Sequence, residues 1–140
     1  MEVIWAEVQR FFEEYERQSN LQDSGGVVAQ FADVFMFADS AGARVVSASD
    51  LAVGISKRKR LFDGVGRSST SLVSLQAREL SERYVLAETE WRVRFDREDA
   101  QEILLKAAYV VQCSDGGLRI VFYLTHQNPI AVLEEKGLVE

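Results

Sequence analysis

Asp39 and His126 are the residues whose chemistry and position suggest catalysis. Asp39 follows the apolar run 35–38 and opens the turn 39–42, Asp-Ser-Ala-Gly. Its carboxylate could face a ligand from this position. His126 is the single histidine, and imidazole ordinarily titrates near neutrality. The structural alternatives are an aspartate that bonds its own turn and a histidine at the surface of a strand end.

Aromatic side chains recur along the chain at positions that could line a pocket. Their rings offer apolar walls and some carry polar tips, which is how small-ligand sites are usually built. The alternative is that the rings simply fill the core. The candidates are Phe11, Tyr15, Phe35, Trp91, Tyr109 and Tyr123.

The cysteine and histidine counts argue against a metal or a cofactor. Cys113 is the single cysteine, so it cannot form an internal disulfide. One histidine and one cysteine cannot supply the common zinc ligand sets. The run 64–66, Gly-Val-Gly, lacks the lysine-serine pair of a phosphate-binding loop. We therefore expect no metal and no cofactor.

The charge balance disfavours some partners. The net charge is -6 and the pI is near 4.9, whereas binding to nucleic acid depends on cationic neutralisation of phosphates. The basic run 57–60, Lys-Arg-Lys-Arg, favours a solvated helix face, with a phosphate-bearing ligand as the alternative. No apolar stretch approaches the roughly 20 residues of a membrane span, and residues 1–10 do not resemble a signal peptide. We expect a cytoplasmic protein with no nucleic-acid or membrane partner.

Residues 69–126 have the pattern of a β-meander. Strands are predicted near residues 70–80, 84–95, 101–113 and 118–126, and Ser-Asp-Gly-Gly at 114–117 is a clear hairpin signal. Alternation over residues 84–95 predicts one buried face. That face carries Val85, Ala87, Thr89, Trp91, Val93 and Phe95. The last strand is partly apolar on both sides, so the sequence does not decide which side faces inward.

Helical patterns precede the meander. A first amphipathic helix carries Val8, Phe11 and Tyr15 on its apolar side. A short second helix is predicted after a cap at Asp23 or Ser24, with the stripe Val28, Phe31 and Ala32. A third, of about four turns, begins after Ser47 or Ser49 and ends near Gly64 or Gly66, with the stripe Leu51, Ile55, Arg58 and Phe62. After Pro129 a short helix through Leu133 is possible.

Helices followed by sheet indicate the α+β class. We expect one domain, residues 1–140, in which three N-terminal helices pack in the concave face of a strongly curved, mostly antiparallel sheet. The opposite face carries Leu86, Leu104 and Val110. A second copy of the chain could cover that face, so we expect a homodimer.

The element order is similar to the nuclear transport factor 2-like superfamily, the cone-shaped fold of ketosteroid isomerases, scytalone dehydratase and polyketide cyclases. The sharpest resemblance lies in Gly-Val-Val-Ala-Gln-Phe-Ala-Asp at 26–33, followed by Phe-Ala-Asp-Ser-Ala-Gly at 37–42. The ending Arg-Ile-Val-Phe-Tyr-Leu-Thr-His-Gln at 119–127 also resembles the last strand of many bacterial members. The resemblance covers nearly the whole chain and implies the cystatin-like cone and dimerisation from sheet to sheet.

For the site, the resemblance implies that Asp39 occupies the position of the isomerases' general base. The tyrosine that donates to the enolate oxygen in those enzymes is replaced by Phe11, and no aspartate occurs near residues 106–109 where the second donor should lie. One such donor contributes about 3 to 4 kcal/mol to catalysis in other enzymes. Ketosteroid isomerase activity is therefore not expected.

Two functions remain open at this point. The first is a small-molecule-binding domain with an apolar cone pocket for a small hydrophobic ligand, including a modest lyase or isomerase with Asp39 as base and a tyrosine or His126 as acid. The second is a non-catalytic dimerisation or interaction domain whose cone is filled by its own aromatic rings.

Overall fold

The computed structural model describes residues 2–21 and 24–138, with side chains from Trp5 onward. The helices are α1 (Glu2–Ser19), α2 (Gly25–Val28), α3 (Ala48–Val65) and α4 (Pro129–Glu135). The strands are β1 (Phe31–Asp39), β2 (Gly42–Ser47), β3 (Arg67–Ser81), β4 (Tyr84–Asp96), β5 (Glu102–Ser114) and β6 (Gly117–Thr125). None of the described helices is long and apolar enough to cross a membrane.

The six strands form one sheet in the order β2-β1-β6-β5-β4-β3. Strands β3 to β6 are antiparallel neighbours in chain order, so the predicted meander is confirmed. β1 pairs with β6 in parallel, which is possible because the long excursion through α3 and the meander separates them. The sheet is curved and the helices lie on its inner face, so the predicted α+β class is confirmed.

Strand β4 alternates as its sequence predicts. Every second residue from Val85 to Phe95 is buried, and the residues between them are exposed or half-buried. The buried set includes Thr89, whose hydroxyl donates to the Ala107 carbonyl oxygen at 3.3 Å. This strand therefore supplies a continuous inner wall for the cone.

A β-bulge determines which side of β6 faces inward. Val111 pairs with Ile120 whereas Val110 pairs with Phe122, so Val121 is an extra residue in β6. Ile120 and Tyr123 are consequently both buried although they are three positions apart. The bulge explains why a simple alternating pattern could not predict which side of β6 faces inward.

Helix α1 covers the inner face of the sheet. Val8 and Phe12 are fully buried, and Tyr15 is nearly so. The sequence placed Phe11 on the apolar side, but Phe12 is the deeper ring and Phe11 is only half-buried at the flank. The amide of Gln30 donates to the Phe11 carbonyl oxygen at 2.8 Å and ties this part of α1 to the segment before β1.

The second helix is shorter than predicted. α2 has four residues, and the predicted stripe residues Phe31 and Ala32 belong to β1 instead. Phe31 pairs with Ile120 of β6, so strand pairing takes precedence over the weak helical pattern. Ser24 stands at the N-cap without a side-chain cap bond, and the alternative cap Asp23 lies outside the described residues.

Helix α3 begins and ends at predicted residues. The Ser47 hydroxyl accepts a hydrogen bond from the Asp50 amide at 3.2 Å, and Gly66 is the C-cap. The helix has 18 residues, about one turn more than expected. Ile55 and Phe62 are buried on its inner side. This side of α3 closes the cone opposite the sheet.

Candidate functional site

Two adjoining chambers lie between the helices and the inner face of the sheet. The outer chamber measures about 320 Å³ and opens between β1, β2 and α3. The inner chamber measures about 70 Å³ and lies deeper, against β4 and β5. The residues that line both chambers are Tyr15, Ile55, Arg58, Tyr123, Thr125 and Pro129. The cone is therefore neither empty throughout nor completely filled.

Aromatic rings occupy most of the deep end of the cone. Tyr109 and Tyr123 stack with centroids 4.9 Å apart and an interplanar angle of 8°. Tyr15 packs against Trp91 at 5.4 Å and meets Tyr109 nearly edge-on at 5.7 Å. These contacts leave only the small inner chamber beside the rings, so they serve both as core and as cavity wall.

Asp39 lines the outer chamber at the end of β1. Its Oδ1 accepts a hydrogen bond from the Ala41 amide at 2.9 Å, as an aspartate in this turn should. Arg44 and Asp50 are the other ionisable residues on this side of the chamber, and the guanidinium of Arg44 lies 4.8 Å from the centroid of the Phe37 ring. Asp39 thus caps its turn and borders the cavity at the same time.

Most of the residues proposed from the sequence come together around the chambers. Those that line one or both are Tyr15, Phe35, Asp39, Trp91, Tyr109 and Tyr123. Phe11 and His126 line neither chamber. Phe11 lies edge-on to Phe12 with centroids 5.2 Å apart. His126 is exposed beyond the end of β6, and its backbone amide donates to the Lys106 carbonyl oxygen at 3.0 Å.

Arg58 is the site residue that the sequence interpretation missed. Lys57 and Arg60 are exposed, in keeping with a solvated face, but Arg58 is half-buried and lines both chambers. The signal was present in the sequence, since Arg58 lies three residues after Ile55 and four before Phe62, on the apolar stripe of α3. An arginine within an apolar stripe indicates a charge that faces the interior.

The surroundings of the Arg58 guanidinium are phenolic and aromatic. Burial acts to lower the pKa of Arg58, but the hydroxyl groups of Tyr123, Tyr15 and Tyr109 act in the opposite direction and raise it overall. The guanidinium carbon also lies 6.0 Å from the centroid of the Phe62 ring. Within the described residues, no carboxylate forms an ion pair with Arg58. The cone therefore contains a positive charge that no described acidic side chain neutralises.

The inner tyrosines are hydrogen-bond donors and not bases. Burial is the main cause that raises the pKa of Tyr15 and of Tyr109 above the ordinary value, and Tyr123 raises both further, whereas Arg58 acts in the opposite direction on both. Both hydroxyl groups consequently stay protonated at neutral pH. Trp91 adds a further donor in this region, since its buried Nε1 has no hydrogen-bond partner among the described residues.

These groups define what the site can do chemically. Arginine and protonated phenols can bind and stabilise an oxyanion, and Asp39 is the nearest candidate base on the wall of the outer chamber. No group of three or more metal-ligating side chains occurs in the part of the chain that the structure describes. The arrangement favours chemistry on an oxygen-bearing organic ligand.

Comparison with known proteins supports the fold. No protein-family model and no curated protein matches the sequence. The protein Aln2 from a Streptomyces species is 16% identical, with a TM-score of 0.76 over 96% of this chain and 97% of that chain. An NTF2-like protein of unknown function from Pseudomonas putida is also 16% identical, with a TM-score of 0.76 over 91% of this chain and 89% of its own.

A third similar structure is a protein of unknown function with a cystatin-like fold from Nostoc punctiforme. It is 14% identical, with a TM-score of 0.74 over 92% of this chain and 94% of that chain. All three likenesses span nearly the full length of both partners. With the sheet order and the helices described above, they show that the chain has the cystatin-like fold of the nuclear transport factor 2-like proteins.

Proposed function

We propose that the chain is a small-molecule-binding domain whose ligand occupies the outer chamber and reaches the inner one. The observation that carries this proposal is the outer chamber itself, because its 320 Å³ falls within the roughly 300 to 1,000 Å³ of typical ligand pockets. The inner chamber is too small for an organic ligand by that standard. The body of the ligand therefore belongs in the outer chamber, with one polar group directed inward.

Asp39 is the base that we assign if the domain is a lyase or an isomerase. Its carboxylate borders the same chamber as Arg58 and Tyr123. In such a reaction Asp39 removes a proton from a carbon next to a carbonyl group, and Arg58 and the phenols stabilise the oxyanion that develops. The tyrosines were among the site residues predicted from the sequence, and Arg58 is a donor beyond that set, whereas Phe11 stands in place of the tyrosine that the resemblance led us to expect. Asp39 therefore remains a candidate base despite that substitution.

Filling the outer chamber should abolish binding. Gly54 lines this chamber, and an added Cβ would meet no atom within 4 Å, so Gly54→Phe can place a ring in the cavity without a clash at its Cβ. We expect the variant to bind the neutral dye N-phenyl-1-naphthylamine at least about tenfold more weakly than the wild type, measured by dye fluorescence. The matched control is Gly64→Phe, since Gly64 lies on the same helix, has equal space and lines neither chamber. Equal binding by all three proteins would contradict the proposal.

The role of Asp39 can be tested by proton exchange. In D₂O, a base that removes the α-proton of 2-tetralone and returns a deuteron produces exchange that NMR can follow. We expect Asp39→Asn to lower the catalysed exchange rate on the order of a hundredfold. Asp50→Asn is the control, because Asp50 borders the same chamber on the first turn of α3. Exchange that is absent in the wild type, or unchanged in Asp39→Asn, would rule out this assignment.

A second candidate function is dimerisation through the outer face of the sheet. Strand pairing places an apolar group of side chains there: Val34, Met36, Val45, Leu86, Leu104, Val110, Phe122 and Leu124. Val34, Val45 and Leu104 are 59%, 64% and 44% exposed, so large apolar side chains are accessible at two separate places on this face. The glutamates and arginines that alternate along β4 make the face complementary to itself across a two-fold axis. A second copy of the chain is therefore the partner that we assign to this face.

A charge on the outer face should prevent dimerisation. Leu104→Lys places an ammonium group on the outer face near the start of β5, where a twin sheet would have to desolvate it. We expect sedimentation at micromolar concentration to give a dimer for the wild type and a monomer for this variant. Val53→Lys is the control, because Val53 is 55% exposed but lies on α3. A wild-type monomer would contradict this second function and would leave the first unaffected.

A further inference from the structure

The two chambers differ in the charged residues that line them. The cationic residues that line the inner chamber are Arg58, Lys59 and Lys106, of which Lys106 is exposed and lies at an outward-facing position of β5, and no described acidic residue is among the lining. Asp39 and Asp50 border only the outer chamber. A group that extends from the outer chamber inward therefore passes from mixed charge to positive charge.

A cation that is partly withdrawn from water favours an anionic partner. Moving a charged side chain out of water is unfavourable unless an opposite charge and hydrogen bonds compensate for the lost hydration. Arg58 has phenolic neighbours and one ring contact, but no carboxylate partner within the described residues. An anionic ligand would supply the missing charge.

The hydrogen-bond donors next to Arg58 also favour an anionic ligand. A guanidinium has only donors, and neutral phenols can donate as well as accept. Tyr15 and Tyr123 line both chambers beside Arg58, so their hydroxyl groups lie at the boundary that a ligand would reach first. Asp39, one of the two acidic residues on the wall of the outer chamber, has one oxygen engaged by the Ala41 amide. The boundary between the chambers is thus rich in donors.

We propose that the ligand of this domain is a carboxylate with an apolar, preferably aromatic, body, and that Arg58 binds the carboxylate at the boundary of the two chambers. The planar guanidinium matches a planar carboxylate with two parallel hydrogen bonds. The body lies in the outer chamber against Phe35, Phe37 and Leu51. This inference rests on the proposed function, since it names the class of ligand for the same cavity.

The experiment compares two probes that differ only in charge. The carboxylate 2-naphthoate and its neutral amide, 2-naphthamide, have nearly the same shape, and calorimetry in phosphate-free buffer gives both affinities. For the wild type we expect 2-naphthoate to bind about tenfold to a hundredfold more tightly than the amide, the usual effect of a hydrogen bond to a charged group. In Arg58→Met this preference should disappear, because the affinity for 2-naphthoate falls to that for the amide.

Two further variants keep the result interpretable. Arg60→Met removes the same charge from an exposed position of the same helix and should preserve the preference for 2-naphthoate. Arg58→Lys keeps the positive charge but not the planar guanidinium, and it should retain part of the preference for 2-naphthoate over the amide. Circular dichroism and thermal melting of each variant verify that the fold is intact, so that a lost affinity is not mistaken for unfolding.

The outcomes separate this inference from the function on which it rests. Equal binding of both probes by the wild type would overturn the carboxylate assignment and leave the proposed binding function standing. Binding of neither probe would count against the proposed function itself. Inorganic phosphate is the third probe: if it displaces 2-naphthoate at equal concentration, the site selects phosphate groups, and the carboxylate assignment is wrong.

Discussion

The position of Arg58 inside the cone is the constraint on which the account of this protein depends. An arginine on the apolar stripe of a helix must either turn outward or bring its charge into the interior. Here it lies among the phenols of Tyr15, Tyr109 and Tyr123, and no described carboxylate neutralises it. Because these phenols raise the pKa of Arg58 and so favour its charged form, the interior holds a cation that is better suited to an anion than to an apolar molecule alone.

The fold holds this charge in place through local features of the sheet and of α3. Ser47 caps the helix at its start and thereby fixes which residues face inward. The bulge at Val121 turns Tyr123 toward the interior, where it stacks on Tyr109. Strand β4 contributes Trp91 on its inner side. The cavity is therefore formed by residues from three separate parts of the chain, each positioned by ordinary strand and helix geometry.

The fold could be predicted from the sequence more completely than the site. Alternation over residues 84–95 and the hairpin signal at 114–117 identified the meander, because these patterns depend on local periodicity and turn chemistry. The inward side of β6 could not be predicted, since a single inserted residue at Val121 reverses it. Arg58 was recognised as part of the stripe of α3, but its role depends on tyrosines more than 30 residues away in sequence on either side. Such long-range proximity is not encoded in local spacing.

The stability of Arg58→Met, measured by urea unfolding in a buffer without carboxylate or phosphate, tests the central claim most directly. Methionine keeps the apolar stem of the side chain and removes the charge. Because Arg58 is half-buried and has no carboxylate counterion among the described residues, the variant should be as stable as the wild type within about 1 kcal/mol, with Arg60→Met unchanged within about 0.5 kcal/mol. A loss of about 2 kcal/mol or more in Arg58→Met alone would mean that the charge is already compensated within the folded protein, and would contradict the account.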